Sequence, residues 1–280
     1  MIRFASSGEK NGVLKVHNVC FPSEAKALLR LFNICFPGEE DFAEYFFKYW
    51  YSFENTLVDE ENGVIRGLAM MYPYYIEGVG EVTYLYSVGT SPEFRGRGVC
   101  KGILEYSHKI DLEKGRKASI LIPGGKDLFD FYKKLGYEVS SCIDEREFTV
   151  LSENTSFKLK ECTPKELEAF YKSHFKGRKA VRRNEKYFYD QIKLFNSFGG
   201  ECLGLYDSDK LLSYGFYSCE NGVLKFDEIL GENCDVLASE VLKKNGLSRC
   251  KGRTDGSSVP IGMAYYYGKK FDFYMNLMFN

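Results

Sequence analysis

Arg95-Gly96-Arg97-Gly98 is the stretch of this chain best equipped for chemistry. The run Tyr86-Ser87-Val88-Gly89-Thr90 before it reads as the end of a strand, and Ser91-Pro92 as a turn. A helix then opens at Val99-Cys100-Lys101. Such a start presents bare backbone N–H groups, the positive end of a dipole and two guanidinium groups, which together make a phosphate receptor. Because the loop follows a strand directly, a phosphate-bearing ligand is expected along the strand's end.

The elements around the loop follow from periodicity. Segment 24–36 carries Ala27, Leu28, Leu31, Phe32 and Cys35 at helical spacing and stops at Pro37-Gly38. Segment 41–50 reads as an aromatic helix (Phe42, Tyr45, Phe46, Tyr49, Trp50), taken most simply as core. Segments 55–59 and 63–74 flank the turn Glu61-Asn62-Gly63, a hairpin signal. A third strand is expected at 82–90, and the helix after the loop places Val99, Ile103, Tyr106 and Ile110 on one face. A buried strand at 117–122, a short helix at 126–135 ended by Gly136, and a closing strand at 146–151 complete the first half.

The polar stretch 152–156 reads as a linker, after which the pattern restarts. Thr163-Pro164-Lys165-Glu166 is a helix start. An aromatic helix at 185–195, a hairpin at 202–206 and 211–217, a strand at 222–230 and a helix at 236–244 follow. This succession fits an internal duplication offset by roughly 140–145 residues. The counterpart of the phosphate loop, Gly231-Glu232-Asn233-Cys234-Asp235, is acidic and would repel a phosphate. The expected organisation is two domains, 1–151 and 152–280, with the ligand site in the first.

Composition sets the outer limits. The 280 residues suit two domains, and 44% hydrophobic with 16% aromatic residues supply ample core. The nine cysteines include no Cys-x-x-Cys pair, and the first ten residues lack a signal peptide's apolar stretch. Reduced thiols and a cytoplasmic location are expected. His17, His108 and His174 are not spaced with cysteine or carboxylate as ligands are, so no metal is expected; the latter two read as surface residues. A net charge of −1 gives no electrostatic case for nucleic acid, and no segment is apolar enough to span a membrane. Self-association is left open.

The strand ending Val-x-Thr-x-Pro and the loop that follows resemble motif A of the GNAT superfamily of N-acetyltransferases, R/Q-x-x-G-x-G/A, with Arg95, Gly98 and Cys100 on its defining positions. Cys100 departs from the usual Gly or Ala. Leu128-Phe129-Asp130-Phe131-Tyr132-Lys133-Lys134-Leu135-Gly136-Tyr137 resembles motif B, A-x-x-F-Y-x-K-x-G-F/Y, with Gly125 where the family often has Asn. The resemblance covers residues 25–150. The tandem arrangement is similar to the Eis-type branch, in which a degenerate GNAT domain follows an active one; a chain of two such domains, without the third, sterol-carrier-like domain of longer relatives, is what the resemblance leads one to expect.

The resemblance implies an α/β fold with mixed sheets in two tandem GNAT-like domains, and acetyl-CoA as acyl donor. Val88 N–H would polarise the acetyl carbonyl, and the backbone of Val88, Gly89 and Thr90 would pair with the pantetheine arm. Gly96, Arg97, Gly98, Val99, Cys100 and Lys101 would hold the pyrophosphate, with charge from Arg95 and Arg97. Tyr132 would protonate the departing thiolate. The acceptor would be a primary amine of a small molecule or peptide. The base stays open between Glu81 (three residues before the family position, here Tyr84), a water relay and the carboxylate of Asn280. Asp227, Glu228 and Asp255 read as solvated carboxylates that could also attract a cationic acceptor. A non-catalytic acyl-CoA-binding module is the alternative; aminoacyl transfer from tRNA is a third reading, disfavoured by the charge balance.

Overall fold

The computed structural model describes residues 1–6, 14–16, 19–21, 23–152 and 156–278. The centre of the expected linker, 153–155, lies outside them, as do His17 and Asn280. Two compact units emerge: Met1–Tyr74, Gly80–Glu138 and Ala264–Lys269 form the first, and Tyr75–Val79, Val139–Met263 and Lys270–Asn280 the second.

Chain order in the first half is β1 (Ile2–Phe4), the small hairpin β2 (Leu14–Val16) and β3 (Val19–Phe21), α1 (Ser23–Cys35), α2 (Glu40–Tyr49), β4 (Thr56–Glu61), β5 (Val64–Ile76), β6 (Gly80–Thr90), α3 (Val99–Glu113), β7 (Ala118–Leu121), α4 (Lys126–Lys134) and β8 (Glu138–Thr149). In the first unit the strand order is β1-β4-β5-β6-β7. β4 and β5 are antiparallel, and β7 runs parallel to β6 through Thr83↔Ser119 and Tyr84↔Ile120. The segment Ala264–Lys269 lies beside β7, its Tyr267 N–H donating to the Lys117 carbonyl at 3.1 Å. α3 buries Val99, Ile103, Leu104 and Ile110. Each such side chain contributes roughly 1.5–3 kcal/mol by leaving water.

The second half continues with β9 (Lys158–Glu161), α5 (Pro164–His174), α6 (Glu185–Ser197), β10 (Glu201–Asp207), β11 (Lys210–Glu220), β12 (Val223–Gly231), α7 (Cys234–Lys244), β13 (Arg249–Asp255) and β14 (Val259–Tyr266). The expected helix start at Thr163 is a full capping box: Thr163 Oγ1 accepts from Glu166 N–H while the Glu166 carboxylate accepts from Thr163 N–H at 2.9 Å. The second unit orders its strands β8-β13-β12-β11-β10-β9. β13 runs parallel to β12 through Lys225↔Lys251 and Phe226↔Gly252. Both units thus pass from two helices to a hairpin, a third strand, a helix and a strand parallel to the third. The order of elements recurs from one unit to the other.

Four charge assignments need correction. Glu228 is not solvated: it is fully buried in the second unit, accepting from Arg183 Nη1 at 2.6 Å, Tyr214 OH at 2.8 Å and Tyr274 OH at 2.7 Å. Asp255 accepts from Arg178 and His174, and despite its burial the Arg178 guanidinium, with a smaller contribution from His174, holds its carboxyl well below the usual range. His174 therefore hydrogen-bonds a partner 81 residues away, at 3.3 Å, rather than lying free on the surface. His108 is half-buried in the first unit, stacked on Tyr265 at 4.0 Å and hydrogen-bonded to Tyr137 OH at 2.9 Å. Their partners are far away in sequence, so helical polarity alone could not place them.

Burial lowers the His108 pKa to about 4, so the folded chain keeps it neutral while an unfolded chain protonates it near 6.5. Stability tied to this residue is present above pH 6.5 and lost as pH falls toward 4. At up to about 1.4 kcal/mol per pH unit, reduced for its partial exposure, the loss is about 1–3 kcal/mol. Denaturant titrations at pH 7 and pH 5 should show that slope in the wild type and a shallower one in His108→Gln; equal slopes would refute the assignment.

Candidate active site

The parallel strands β6 and β7 part early. After the Tyr84–Ile120 pair β7 ends at Leu121, while β6 runs on to Thr90. The β7-facing edge of residues 86–90 therefore meets no strand among the described residues. Within this edge Ser87, just before Val88, takes a left-handed φ of 52°, sparsely populated for a residue with a side chain. Tyr86 packs on α1 and α2, its ring 4.9 Å from Phe46 and 6.5 Å from Phe32. The expected core role of the aromatic helix holds for the buried Phe46 and Phe47, whereas Tyr49 is exposed.

At Thr90 the chain turns into the Arg-Gly loop. Arg95 Nε donates to the Thr90 carbonyl at 3.3 Å, and the Arg97 guanidinium lies 5.5 Å from the Phe94 ring centroid. Gly98, the N-cap of α3, has φ 79° and no side-chain cap. An L-residue with a β-carbon is strained there. The first backbone bond into the helix runs from Gly102 N–H to the Gly98 carbonyl at 2.9 Å, and among the described residues the N–H groups of 96–101 meet no acceptor. The Thr90 hydroxyl is likewise buried without a hydrogen-bond partner. Donors aimed nowhere else, a dipole end and two guanidiniums give this loop the chemistry to hold an anion.

Gly67 on β5 sets how closely α3 approaches the sheet. A β-carbon there would sit 2.7 Å from Val99 Cγ1, 3.0 Å from the Gly89 carbonyl oxygen and 3.1 Å from Ile103 Cδ1. Gly67→Val should destabilise the chain by about 1–3 kcal/mol through overpacking and push the start of α3 outward. A thermal melt checks this; an unchanged Tm would refute the close approach. The sequence signal was a glycine inside a strand.

Tyr132 sits on α4, 7% exposed, its ring 5.6 Å from Tyr137. Burial, with a smaller contribution from Cys100, pushes its phenol well above the ordinary range, and its hydroxyl makes no hydrogen bond among the described residues. Burial also raises the Cys100 thiol to about 11, so Cys100 stays protonated and is a poor nucleophile. Glu81 is exposed at the opening of β6. At about 3.3 Å per residue it stands roughly 23 Å along the strand from Val88, out of reach of chemistry there.

Among the described residues the second unit offers no equivalent loop. α7 opens at Asn233, left-handed at φ 59°, with Asp235 in its first turn held by Arg146 at 2.9 Å. A carboxylate already complements that dipole end. The second unit instead holds a cavity of about 1220 Å³, lined among others by Lys172, Lys176, Arg178, Arg182 and Tyr274. Asp255, one of the carboxylates expected to attract a cationic acceptor, borders it, whereas Val88, the loop 95–101 and Tyr132 do not. No cluster of three or more histidine, cysteine or acidic side chains suited to a metal occurs among the described residues, and none of their helices is long and apolar enough to cross a membrane.

A strand with a free edge, left by a parallel neighbour and leading through an Arg-Gly loop into an uncapped helix, defines an acyltransferase fold. Residues 2–140 match the acetyltransferase (GNAT) domain, and through them the chain belongs to the GNAT acetyltransferases. Among solved structures it is similar to a GCN5-related N-acetyltransferase from Anabaena variabilis (TM-score 0.69, 15% identity, 94% of this chain and 72% of that one). It is also similar to Eis1 from Mycobacterium abscessus (TM-score 0.62, 13% identity, 93% and 66%). A tandem GNAT protein from the clavulanic acid biosynthesis pathway matches at TM-score 0.51 and 11% identity, over 88% and 95% of the two chains. At these identities the likeness is one of fold. No curated protein matches the sequence.

Proposed function

We propose that the chain is an acetyl-CoA-dependent N-acetyltransferase with its donor site in the first unit. The observation that carries the reading is the uncapped α3 N-terminus behind Arg95-Gly96-Arg97-Gly98, at the end of a strand whose edge is open. The orphaned Thr90 hydroxyl and the unaccepted N–H groups fit a pyrophosphate followed by an extended polar arm.

Acetyl-CoA supplies an acetyl group on a thioester. In this reading Val88 N–H donates to the acetyl oxygen as negative charge builds there, an effect worth about 10²–10³ in rate. The backbone of Val88, Gly89 and Thr90 holds the arm. Residues 96–101 hold the phosphates, with Arg95 and Arg97 adding charge. The amine nitrogen attacks the carbonyl directly, since Cys100 stays a thiol; the C–N bond forms, the C–S bond breaks, and the nitrogen releases a proton through water or a terminal carboxylate. Tyr132 gives its proton to the leaving sulfur and regains one from solvent. Burial raises the pKa of its phenol and so keeps it protonated, ready to donate.

Release of free thiol from acetyl-CoA tests this, measured with aminoglycosides, polyamines, peptides and amino acids as acceptors. Release above background with at least one amine is expected. CoA binding without release by any of them would instead favour a non-catalytic acyl-CoA-binding module.

A further inference from the structure

We infer that Tyr265, contributed by the far C-terminal segment, is a positioning residue for Tyr132. This rests on the reading of Tyr132 as the proton donor. Tyr132 follows no rigid strand; it lies in the last turn of a nine-residue helix that Gly136 ends. The turn closes through backbone bonds from Leu135 N–H and Tyr137 N–H to the Tyr132 carbonyl, at 2.9 and 3.1 Å. Its geometry therefore depends on what presses against residues 135–137.

Tyr265 is what presses. A β-carbon on Gly136 would lie 2.9 Å from Tyr265 Cε2, so this ring occupies the space directly over the turn. Its ring centroid is 5.7 Å from that of Tyr137 and 4.0 Å from that of His108, onto which it stacks at 20°. His108 in turn hydrogen-bonds Tyr137 OH, which also meets Ser119 Oγ at 3.0 Å. Tyr137 packs edge-on against Tyr132. The four rings Tyr265, His108, Tyr137 and Tyr132 thus form one chain of contacts ending at the reactive phenol.

The segment bearing Tyr265 is itself fastened to the first unit. Tyr267 OH donates to Asp111 Oδ2 at 2.8 Å, and the buried Asp111 also accepts from Arg116 at 2.9 Å and from Thr83. A buried carboxylate with three donors is costly to rearrange, which fixes the segment's register. The first unit is completed by residues that follow the second in sequence, and its general acid is aimed by them.

The test compares Tyr265→Leu with Tyr265→Phe in the full chain, following thiol release and thermal melts. Tyr265→Leu, if its melt shows a folded chain, should lower kcat by about 10–10²-fold, as small misplacements of reacting groups do, with KM for acetyl-CoA unchanged. Tyr265→Phe keeps the ring and should keep most of kcat. In a Tyr132→Phe background, Tyr265→Leu should cost no further kcat, a non-additivity that general weakening of the fold would not give. If Tyr265→Leu does not fold, Tyr265→Met, which fills the space without a ring, takes its place with the same expectations. Unchanged kcat in a folded ring-deleted variant, or a full additional loss beside Tyr132→Phe, would overturn the inference. An inactive wild type would instead sink the catalytic reading on which it rests.

Discussion

Tyr132→Phe should lower kcat by about 10²–10⁴-fold, the range for loss of a positioned general acid, with KM for acetyl-CoA changing by no more than about twofold. The phenol is 7% exposed and its hydroxyl forms no hydrogen bond among the described residues, so the substitution removes one oxygen and leaves the ring contacts with Phe131 and Tyr137 in place. The loss is chemical rather than structural, and the melting temperature should hold. Because burial holds the phenol far above its ordinary range, the wild-type rate should show no fall from Tyr132 ionisation up to pH 10. A variant retaining more than about half of wild-type kcat would assign the proton to another donor.

The largest stability effect is expected in the second unit. Arg183 and Glu228 are both fully buried and joined at 2.6 Å. The guanidinium lies between aromatic faces, 4.5 Å from the ring of Tyr171 and 5.2 Å from that of Tyr187. Arg183→Met strands the Glu228 carboxylate among Tyr214 and Tyr274, where two phenols cannot replace a cation. Breaking one side of such a pair costs about 3–5 kcal/mol, a large fraction of a typical domain's stability. The chain should fold poorly or melt far below the wild type. Arg183→Met with Glu228→Gln, which removes the orphaned charge, should recover part of the loss. Denaturant unfolding decides between the cases, and a single-variant cost below about 1 kcal/mol would contradict the pairing.

These two residues mark what a sequence reveals and what it hides. The Arg-Gly loop was legible because its physics is local: glycines that allow φ 79°, an uncapped helix start and two guanidiniums fall within a few consecutive residues. The Thr163 capping box, the hairpins and the repeated order of elements were legible for the same reason. The Arg183–Glu228 pair spans 45 residues and the Tyr267–Asp111 bond 156. Neither leaves a periodicity or a turn signal, so Glu228 read as a solvated carboxylate; His108 read as a surface residue for the same reason, since its partners Tyr137 and Tyr265 are distant in sequence. The left-handed Ser87 was silent too, because nothing in its neighbours demands that conformation. Of the candidate site, the donor end was therefore readable, while the support behind Tyr132 emerged only once residues 264–269 were placed in the first unit.

Calorimetric titration with CoA tests the central claim most directly, that one anion receptor, the loop 95–98, holds the donor. The account predicts one CoA per chain, with affinity lowered at least tenfold in Arg95→Glu/Arg97→Glu, since two attractive charges become repulsive beside the phosphates. Two bound CoA molecules per chain, or an affinity untouched by the double substitution, would contradict it.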